Sequence, residues 1–190
     1  LPPAIELQVD APSELPSILA DPTQVEQALF NLTTNAAHAL GEERGWIRMS
    51  AALSLSENRL CERLGLAVGN YLAITVQDNG PGIPASTLQR IFEPFFTTKP
   101  VGQGTGLGLA VVHGVMRTHE GAVDVSSQVG TGSTFTLYFP LATEAGIQEV
   151  PSTSTPSTQS SCAVPPELNT LGTDRKRHVM YVDDDQALVF

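Results

Sequence analysis

The chain has 190 residues and a mass of 20.2 kDa, with 41% apolar and 16% charged residues, which corresponds to about one to one and a half domains. Its 10 basic and 20 acidic residues give a net charge of -10, which argues against a general role on nucleic acid or anionic membranes. No apolar run approaches the roughly 20 residues of a spanning helix, so we expect no direct membrane contact. Cys61 and Cys162 match no metal-site spacing and favour a reduced, cytoplasmic setting, in a full-length protein that could still be membrane-attached.

The N-terminal part predicts a strand followed by a long amphipathic helix. Residues 5–9 alternate apolar and polar side chains, which is typical of a half-buried strand. Asp21 can cap a helix over residues 22–40, with Pro22 at its first position and Gln24 in the place of a capping-box partner. Apolar residues recur at helical spacing before the stop at Gly41, namely Val25, Leu29, Leu32, Ala36 and Leu40.

The middle of the chain predicts strands, loops and a second helix. Strands are predicted at residues 46–53, 71–77, 122–128 and 134–139, with an excursion over residues 54–70 between the first two. A loop-rich region covers residues 78–105 and contains a short helix near residues 86–92. A second long helix is predicted over residues 106–118. Strands in runs, interleaved with two long helices, indicate a two-layer α/β sandwich over residues 1–141.

The composition changes after Leu141. Residues 151–161 are Ser, Thr or Pro except for Gln159, so they lack the apolar surface that would offset their ordering entropy. We therefore predict a disordered linker over residues 142–177. Residues 178–190 then begin with an apolar strand followed by three aspartates, and they resemble the start of another domain.

Three polar residues share one face of the first helix. Asn31, Asn35 and His38 are spaced four and three residues apart, beside the apolar stripe. An asparagine oxygen there is a suitable ligand for Mg²⁺, which takes few protein ligands. The alternative is that these residues only cap or solvate the helix.

The segment DNGPGIP, residues 78–84, follows a strong strand. Asp78 can accept a hydrogen bond from an exocyclic amine such as that of adenine, and Gly80 and Gly82 let the backbone approach a flat base. A tight turn is the alternative interpretation, because Asn-Gly and Pro-Gly are turn dipeptides.

A glycine-rich segment, GQGTGLGL at residues 102–109, runs directly into a helix. Free backbone amides at a helix N-terminus form an anion site, and a flexible loop is the alternative. The Walker A and dinucleotide patterns both fail, since no lysine follows a glycine and the third glycine of the fingerprint is replaced by Leu. Lys99, the only lysine among the first 175 residues, precedes this loop and could meet a triphosphate or remain solvated. The aromatic residues of IFEPFFTTK, residues 91–99, are interpreted as hydrophobic anchors.

Five motifs in order carry a family resemblance: NLTTNAAHAL, DNGPGIP, IFEPFFTTK, GQGTGLGL and GTGSTFTLYFP. They resemble the N, G1, F, G2 and G3 boxes of the histidine kinase catalytic and ATP-binding domain, over about residues 4–141. The resemblance implies the Bergerat fold, a mixed, mostly antiparallel sheet covered by helices on one face. It also implies ATP and Mg²⁺ as cofactors.

The resemblance assigns roles by position. Asn35 would be the Mg²⁺ ligand, Asp78 would bind the adenine amine, and residues 96–106 would form a lid over the phosphates. His38 stands where many relatives have a basic residue. The residues implied to bind the cofactors are Asn31, Asn35, His38, Asp78, Gly80, Gly82, Ile83, Lys99, Gly104, Thr105, Gly106, Leu107, Gly108 and Thr134.

A phosphoacceptor histidine is missing, because His119, the only histidine followed by Glu, lies at a predicted helix end. The resemblance implies that the γ-phosphate goes to a histidine on separate dimerisation and phosphoacceptor helices of the same or a partner chain. HVMYVDDD, residues 178–185, resembles the opening strand of a response-regulator receiver, with Asp183 and Asp184 as its Mg²⁺-binding pair. Together these features predict a piece of a hybrid sensor kinase in a two-component phosphorelay.

Other functions of the same fold stay open. A Bergerat-fold ATPase has a water-activating Glu one turn before the metal-binding Asn, but Asn31 occupies that position and cannot act as a general base. A non-catalytic nucleotide-binding interaction module is a second alternative, which the five intact motifs disfavour. An anti-sigma serine kinase is disfavoured by the receiver-like tail.

Overall fold

A computed structural model describes residues 4–55, 58–99 and 104–142, so the predicted linker after residue 142 and the receiver-like segment lie outside the described residues. Within these ranges, strands and helices follow one another in the order β1 Ile5–Asp10, α1 Pro22–Leu40, β2 Gly45–Leu55, α2 Asn58–Leu64, β3 Asn70–Asp78, α3 Ala85–Leu88, α4 Gly108–Thr118, β4 Ala122–Gln128 and β5 Gly132–Pro140.

The five strands form one sheet in the order β1-β2-β3-β5-β4. β1 and β2 are parallel, and every other neighbouring pair is antiparallel, so the predicted mixed, mostly antiparallel sheet is confirmed. Asp78 at the end of β3 pairs with Ser133 near the start of β5, and Gln128 at the end of β4 pairs with Gly132. We call this end of the sheet the Asp78 end. The opposite end, where Tyr71 pairs with Pro140, is the Tyr71 end.

α1 matches its predicted bounds because its local signals agree with its packing. The Asp21 carboxylate accepts hydrogen bonds from the amides of Thr23 at 2.9 Å and Gln24 at 3.4 Å. Together with α4, α1 covers one face of the sheet, and the buried side chains of both helices belong to the same core as those of β3 and β5. Within the described ranges, no helix combines the length and apolar content needed to cross a membrane.

The excursion between β2 and β3 is shorter than predicted and contains the helix α2, which the sequence did not indicate. Arg63 of α2 forms a two-pronged ion pair with Asp124 of β4, at 2.6 and 2.8 Å. The hydroxyl group of Tyr71 donates to the carbonyl oxygen of Ala67 at 2.8 Å, and Cys61 is buried. These contacts attach the excursion to the Tyr71 end of the sheet.

Candidate functional site

The polar face of α1 lies against the beginning of α4. A methyl group built on Gly108, the first residue of α4, would lie 3.5 Å from Asn35 Nδ2 and 3.6 Å from Asn31 Oδ1. Leu107, at the N-cap of α4, provides no side-chain hydrogen bond to the first turn of the helix. Amides of the first turn have no intrahelical partner and carry the positive end of the helix dipole. The structure therefore places the positive end of the α4 helix dipole beside two asparagines.

Asp78 is a buried carboxylate at the end of β3, with 5% of the residue exposed. Its Oδ1 accepts a hydrogen bond from the Gly80 amide at 2.8 Å. Burial raises the pKa of the Asp78 carboxyl, and hydrogen bonds from the amides of Gly80 and Ser133 partly counteract this rise. A carboxylate in this setting can accept a further hydrogen bond from an amine.

The loop after Asp78 is held between α1 and the β2 strand. Asn79 Oδ1 accepts a hydrogen bond from the Trp46 amide at 2.7 Å. A methyl group built on Gly80 would lie 3.6 Å from the Cβ atom of Ala39, which follows His38 on α1. Asp78 is thereby brought next to the same helix as the two asparagines.

The following part of the loop packs against the β4–β5 turn. Gly82 has a φ of 73°, and a Cβ atom there would overlap the carbonyl oxygen of Gln128. The Ile83 amide donates to Ser127 Oγ at 2.7 Å. Gly82 is therefore required by both its positive φ and the close approach of another backbone.

Lys99 and the glycine-rich segment lie close to His38, at the C-terminal part of the polar face of α1. Lys99 Nζ is 3.0 Å from His38 Nδ1. The Phe95 amide donates to the carbonyl oxygen of Gly106 at 2.9 Å, which joins the residue just before the predicted lid to the last residue of the lid. Gly104 and Thr105 are exposed, and residues 100–103 lie outside the described residues.

Thr134, which the resemblance implies to be a cofactor-binding residue, differs from Ser133 in the sheet face that it occupies. Successive side chains of a strand point to opposite faces, and Thr134 pairs with Gln77, whereas Ser133 pairs with Asp78. Thr134 is therefore on the sheet face away from the Asp78 side chain. Ser133 is buried on the Asp78 side. The sequence signal that could have identified Ser133 as a site residue is its position directly before Thr134.

Sequence reasoning also missed Asn79 and Ser127, which hold the loop but are not predicted ligands. Both side chains accept hydrogen bonds from residues distant in the sequence, namely Trp46 and Ile83. Hydrogen bonds between residues this far apart leave no recognisable pattern in the local sequence. Asn79 was visible only as part of a turn dipeptide.

Two cavities among the described residues differ in their position relative to this site. One of about 320 Å³ adjoins the Asp78 loop and is lined by Ala39, Asn79 and Gly80, among others. One of about 620 Å³ lies between α2, the end of α4 and the start of β4, and none of the predicted site residues lines it. The larger cavity is thus separate from the site of interest.

The side chains on the polar face of α1 suit Mg²⁺ better than a metal ion whose ligands all come from the protein. The described part of the chain contains no group of three or more His, Cys, Asp and Glu side chains that could hold a metal ion. Asn31 and Asn35 supply neutral amide oxygens, and Mg²⁺ usually combines few protein ligands with phosphate oxygens and water.

Comparisons with known proteins identify the family. Residues 20–143 match the family model described as "Histidine kinase-, DNA gyrase B-, and HSP90-like ATPase". The sensor histidine kinase ZraS of Escherichia coli K12 is 44% identical over 137 residues, which are 72% of this chain and 26% of that protein. The sensor kinase CckA of Brucella abortus is 39% identical over 136 residues, 72% of this chain and 14% of that protein. The chain thus spans about a quarter or less of these two relatives.

Solved structures give the same result. The catalytic domain of histidine kinase ThkA has a TM-score of 0.57 and 29% identity, covering 73% of this chain and 80% of that one. Full-length ShkA, solved in complex with AMPPNP, has a TM-score of 0.58 and 33% identity, covering 73% of this chain and 26% of that one. The five-stranded α/β fold and the matches together confirm the resemblance. The chain belongs to the histidine kinase-, DNA gyrase B- and HSP90-like ATPase family, with an ATP-binding catalytic region of the sensor histidine kinase type.

Proposed function

We propose that this domain binds Mg²⁺-ATP between α1, the Asp78 loop and the start of α4, and donates the γ-phosphate to a histidine on a separate helical domain. The observation that carries this proposal is the position of Gly108 against Asn31 and Asn35, with the buried Asp78 at the same helix. This arrangement brings together the N-terminus of α4 for the phosphates, the amide oxygens of Asn31 and Asn35 for Mg²⁺, and the Asp78 carboxylate for the exocyclic amine.

Each group has a separate task in this proposal. Asp78 accepts a hydrogen bond from the adenine amine, and Gly80, Gly82 and Ile83 shape the pocket for the base. Ser133 replaces Thr134 as the β5 residue on that side. The amides of the first turn of α4, together with residues 104–107, face the phosphates, and Lys99 supplies a positive charge.

Asn35 would hold the Mg²⁺ ion, with Asn31 beside it. When bound, this ion neutralises negative charge on the phosphates during transfer. The chain's own contribution is to bind and orient the nucleotide, since no described residue is proposed as a catalytic base.

Transfer is favoured over hydrolysis by the residue one helical turn before Asn35. Asn31 lies there, and its amide cannot accept a proton from water near neutral pH. The attacking group must therefore be nucleophilic without activation by a base of this domain. A histidine on the dimerisation and phosphoacceptor helices meets this requirement. A Bergerat-fold ATPase is the alternative that steady ATP turnover would reveal, and a purely nucleotide-binding module is the alternative if neither turnover nor phosphohistidine is found.

The larger protein is proposed to be a hybrid sensor kinase, membrane-attached or not, with this region in the cytoplasm. The support is the receiver-like segment at residues 178–190, which follows the Ser/Thr/Pro-rich stretch. The free, buried Cys61 is compatible with a reducing compartment. In this proposal the receiver is the partner that takes the phosphoryl group from the phosphohistidine.

Calorimetry with Mg²⁺-ATP and Asn35→Ala tests the site. The wild-type chain should bind ATP more tightly with Mg²⁺ than without it, and the variant should lose this difference while keeping its fold. Mixing the chain with dimerisation and phosphoacceptor helices of a sensor histidine kinase and γ-labelled ATP should yield acid-labile phosphohistidine. Steady release of inorganic phosphate by the chain alone, without labelled histidine, would favour the ATPase instead.

A further inference from the structure

The contact between Lys99 and His38 has a defined direction. Lys99 Nζ lies 3.0 Å from His38 Nδ1, and an ammonium group can only donate hydrogen bonds. His38 Nδ1 must therefore accept and carry no proton. The imidazole is neutral in this contact, so the positive charge at this place belongs to Lys99 alone.

Among the residues that the structure describes, the charge of Lys99 has no carboxylate partner. The ion pairs among the described residues are Arg63–Asp124 and Arg90–Glu93, and neither includes Lys99. Lys99 is half-buried, and burial lowers the pKa of its ammonium group. A partly desolvated cation without a counter-charge gains free energy when an anion binds next to it.

The rest of the lysine is also constrained. The Lys99 amide donates to Thr97 Oγ1 at 3.1 Å, and a methyl group built on Gly104 would lie 3.1 Å from Lys99 Cδ. The absence of a side chain at Gly104 therefore leaves room for the lysine stem. His38 is one helical turn from Asn35, so the ammonium group contacts the same face of α1 that carries the proposed Mg²⁺ ligand.

We propose that His38 is a positioning residue, which holds the Lys99 ammonium group at the cleft for the phosphates of ATP and does not itself bind them. The inference rests on the proposed nucleotide-binding function and specifies roles within that site. It differs from the expectation for a basic residue at position 38, which would contact the phosphates directly.

A double-mutant cycle tests this role in the 190-residue chain. Calorimetry would give the Kd for Mg²⁺-ATP of the wild type, His38→Ala, Lys99→Met and the double variant. We expect Lys99→Met to weaken binding about tenfold or more, and His38→Ala about fivefold. The double variant should bind like Lys99→Met alone, because His38 acts only through the lysine.

Further variants separate positioning from a general structural effect. His38→Gln provides a neutral acceptor and should restore binding to near the wild-type value. Arg59→Met removes an exposed cation on α2 and should not change the Kd. The ¹⁵N chemical shift of His38 Nδ1 should change in Lys99→Met, and binding of adenosine, which has no phosphate, should be the same in all variants.

The outcomes distinguish this inference from the function on which it rests. If the wild type does not bind Mg²⁺-ATP, both fail. If it binds but His38→Ala has no effect, or the two single effects multiply in the double variant, only the positioning role is overturned. A His38→Gln variant as weak as His38→Ala would overturn it as well.

Discussion

His119 Nε2 accepts a hydrogen bond from the backbone amide of Asp21 across 2.9 Å, although the two residues are 98 positions apart. His119 Nδ1 lies 2.8 Å from the carbonyl oxygen of Val115. Since Nε2 accepts, Nδ1 carries the proton and donates to Val115. One neutral ring thus joins the end of α4 to the N-cap of α1. The sequence argued against His119 as a phosphoacceptor only from its place at a helix end, and these two hydrogen bonds give it a structural role instead.

His119→Ala should lower the free energy of unfolding by about 1–2 kcal/mol, because the Asp21 amide and the Val115 carbonyl both lose a partner. Urea denaturation would measure the change. His113→Ala, which removes an exposed imidazole from the same helix, should change it less. Equal losses in the two variants, or a loss of ATP affinity in His119→Ala, would contradict this structural role.

Asp78→Asn should weaken adenine nucleotide binding about tenfold or more without destabilising the domain. Burial raises the pKa of the carboxyl above its ordinary value of 3.8, so the folded chain binds this proton more readily than the unfolded chain. Ionisation of Asp78 therefore lowers the free energy of unfolding as the pH rises through that raised pKa. An asparagine at position 78 does not ionise, so the variant does not lose stability in this way.

The measurement for Asp78 is denaturation of both proteins at acidic and neutral pH. The stability of Asp78→Asn relative to the wild type should increase from pH values below about 4 to neutral pH. A relative stability that falls over the same range would mean that the ionised carboxylate stabilises the fold. Unchanged ATP affinity would contradict the base contact.

Gly82→Ala should be more harmful than Gly130→Ala, although both glycines have a positive φ, of 73° and 81°. At Gly130 no atom lies within 4 Å of a built Cβ atom, so only backbone strain of about 1 kcal/mol is expected. At Gly82 the new methyl group also meets the carbonyl oxygen of Gln128, and we expect a total loss of about 3 kcal/mol.

Thermal melts and ATP titrations of the two variants check this comparison. Gly82→Ala should also weaken ATP binding, since the strand turn and the base pocket share this contact. Gly130→Ala should bind ATP like the wild type. Similar melting temperatures for both variants would mean that the β4–β5 turn yields easily to the methyl group.

Arg63→Met should release α2 from the sheet with little effect on global stability. The Arg63 side chain is 57% exposed and that of Asp124 21%, so solvent screens the ion pair and we expect about 1 kcal/mol or less. Faster amide hydrogen exchange confined to residues 58–64 would be the readout. A double-mutant cycle with Asp124→Asn isolates the pair, and a coupling energy of zero would show that other contacts hold α2.

Local signals predicted α1 well and α2 not at all. Asp21, Pro22 and Gln24 specify the start of α1 within a few residues, and Gly41 ends it with a φ of 61°. α2 spans only seven residues, and Arg63 in its last turn pairs with Asp124, which lies 61 positions further along the chain. A short helix of this kind is stabilised by tertiary packing more than by its own sequence.

The residue types at the site were determined by the sequence itself: the asparagine pair, the carboxylate with its glycines, and the glycine run before a helix are chemical patterns that need no partner to be recognised. Only the tertiary structure decided that Ser133 and not Thr134 faces Asp78, and that Lys99 donates to His38. Strand register and contacts between distant segments arise from the packing of the whole domain, so no local stretch of sequence specifies them.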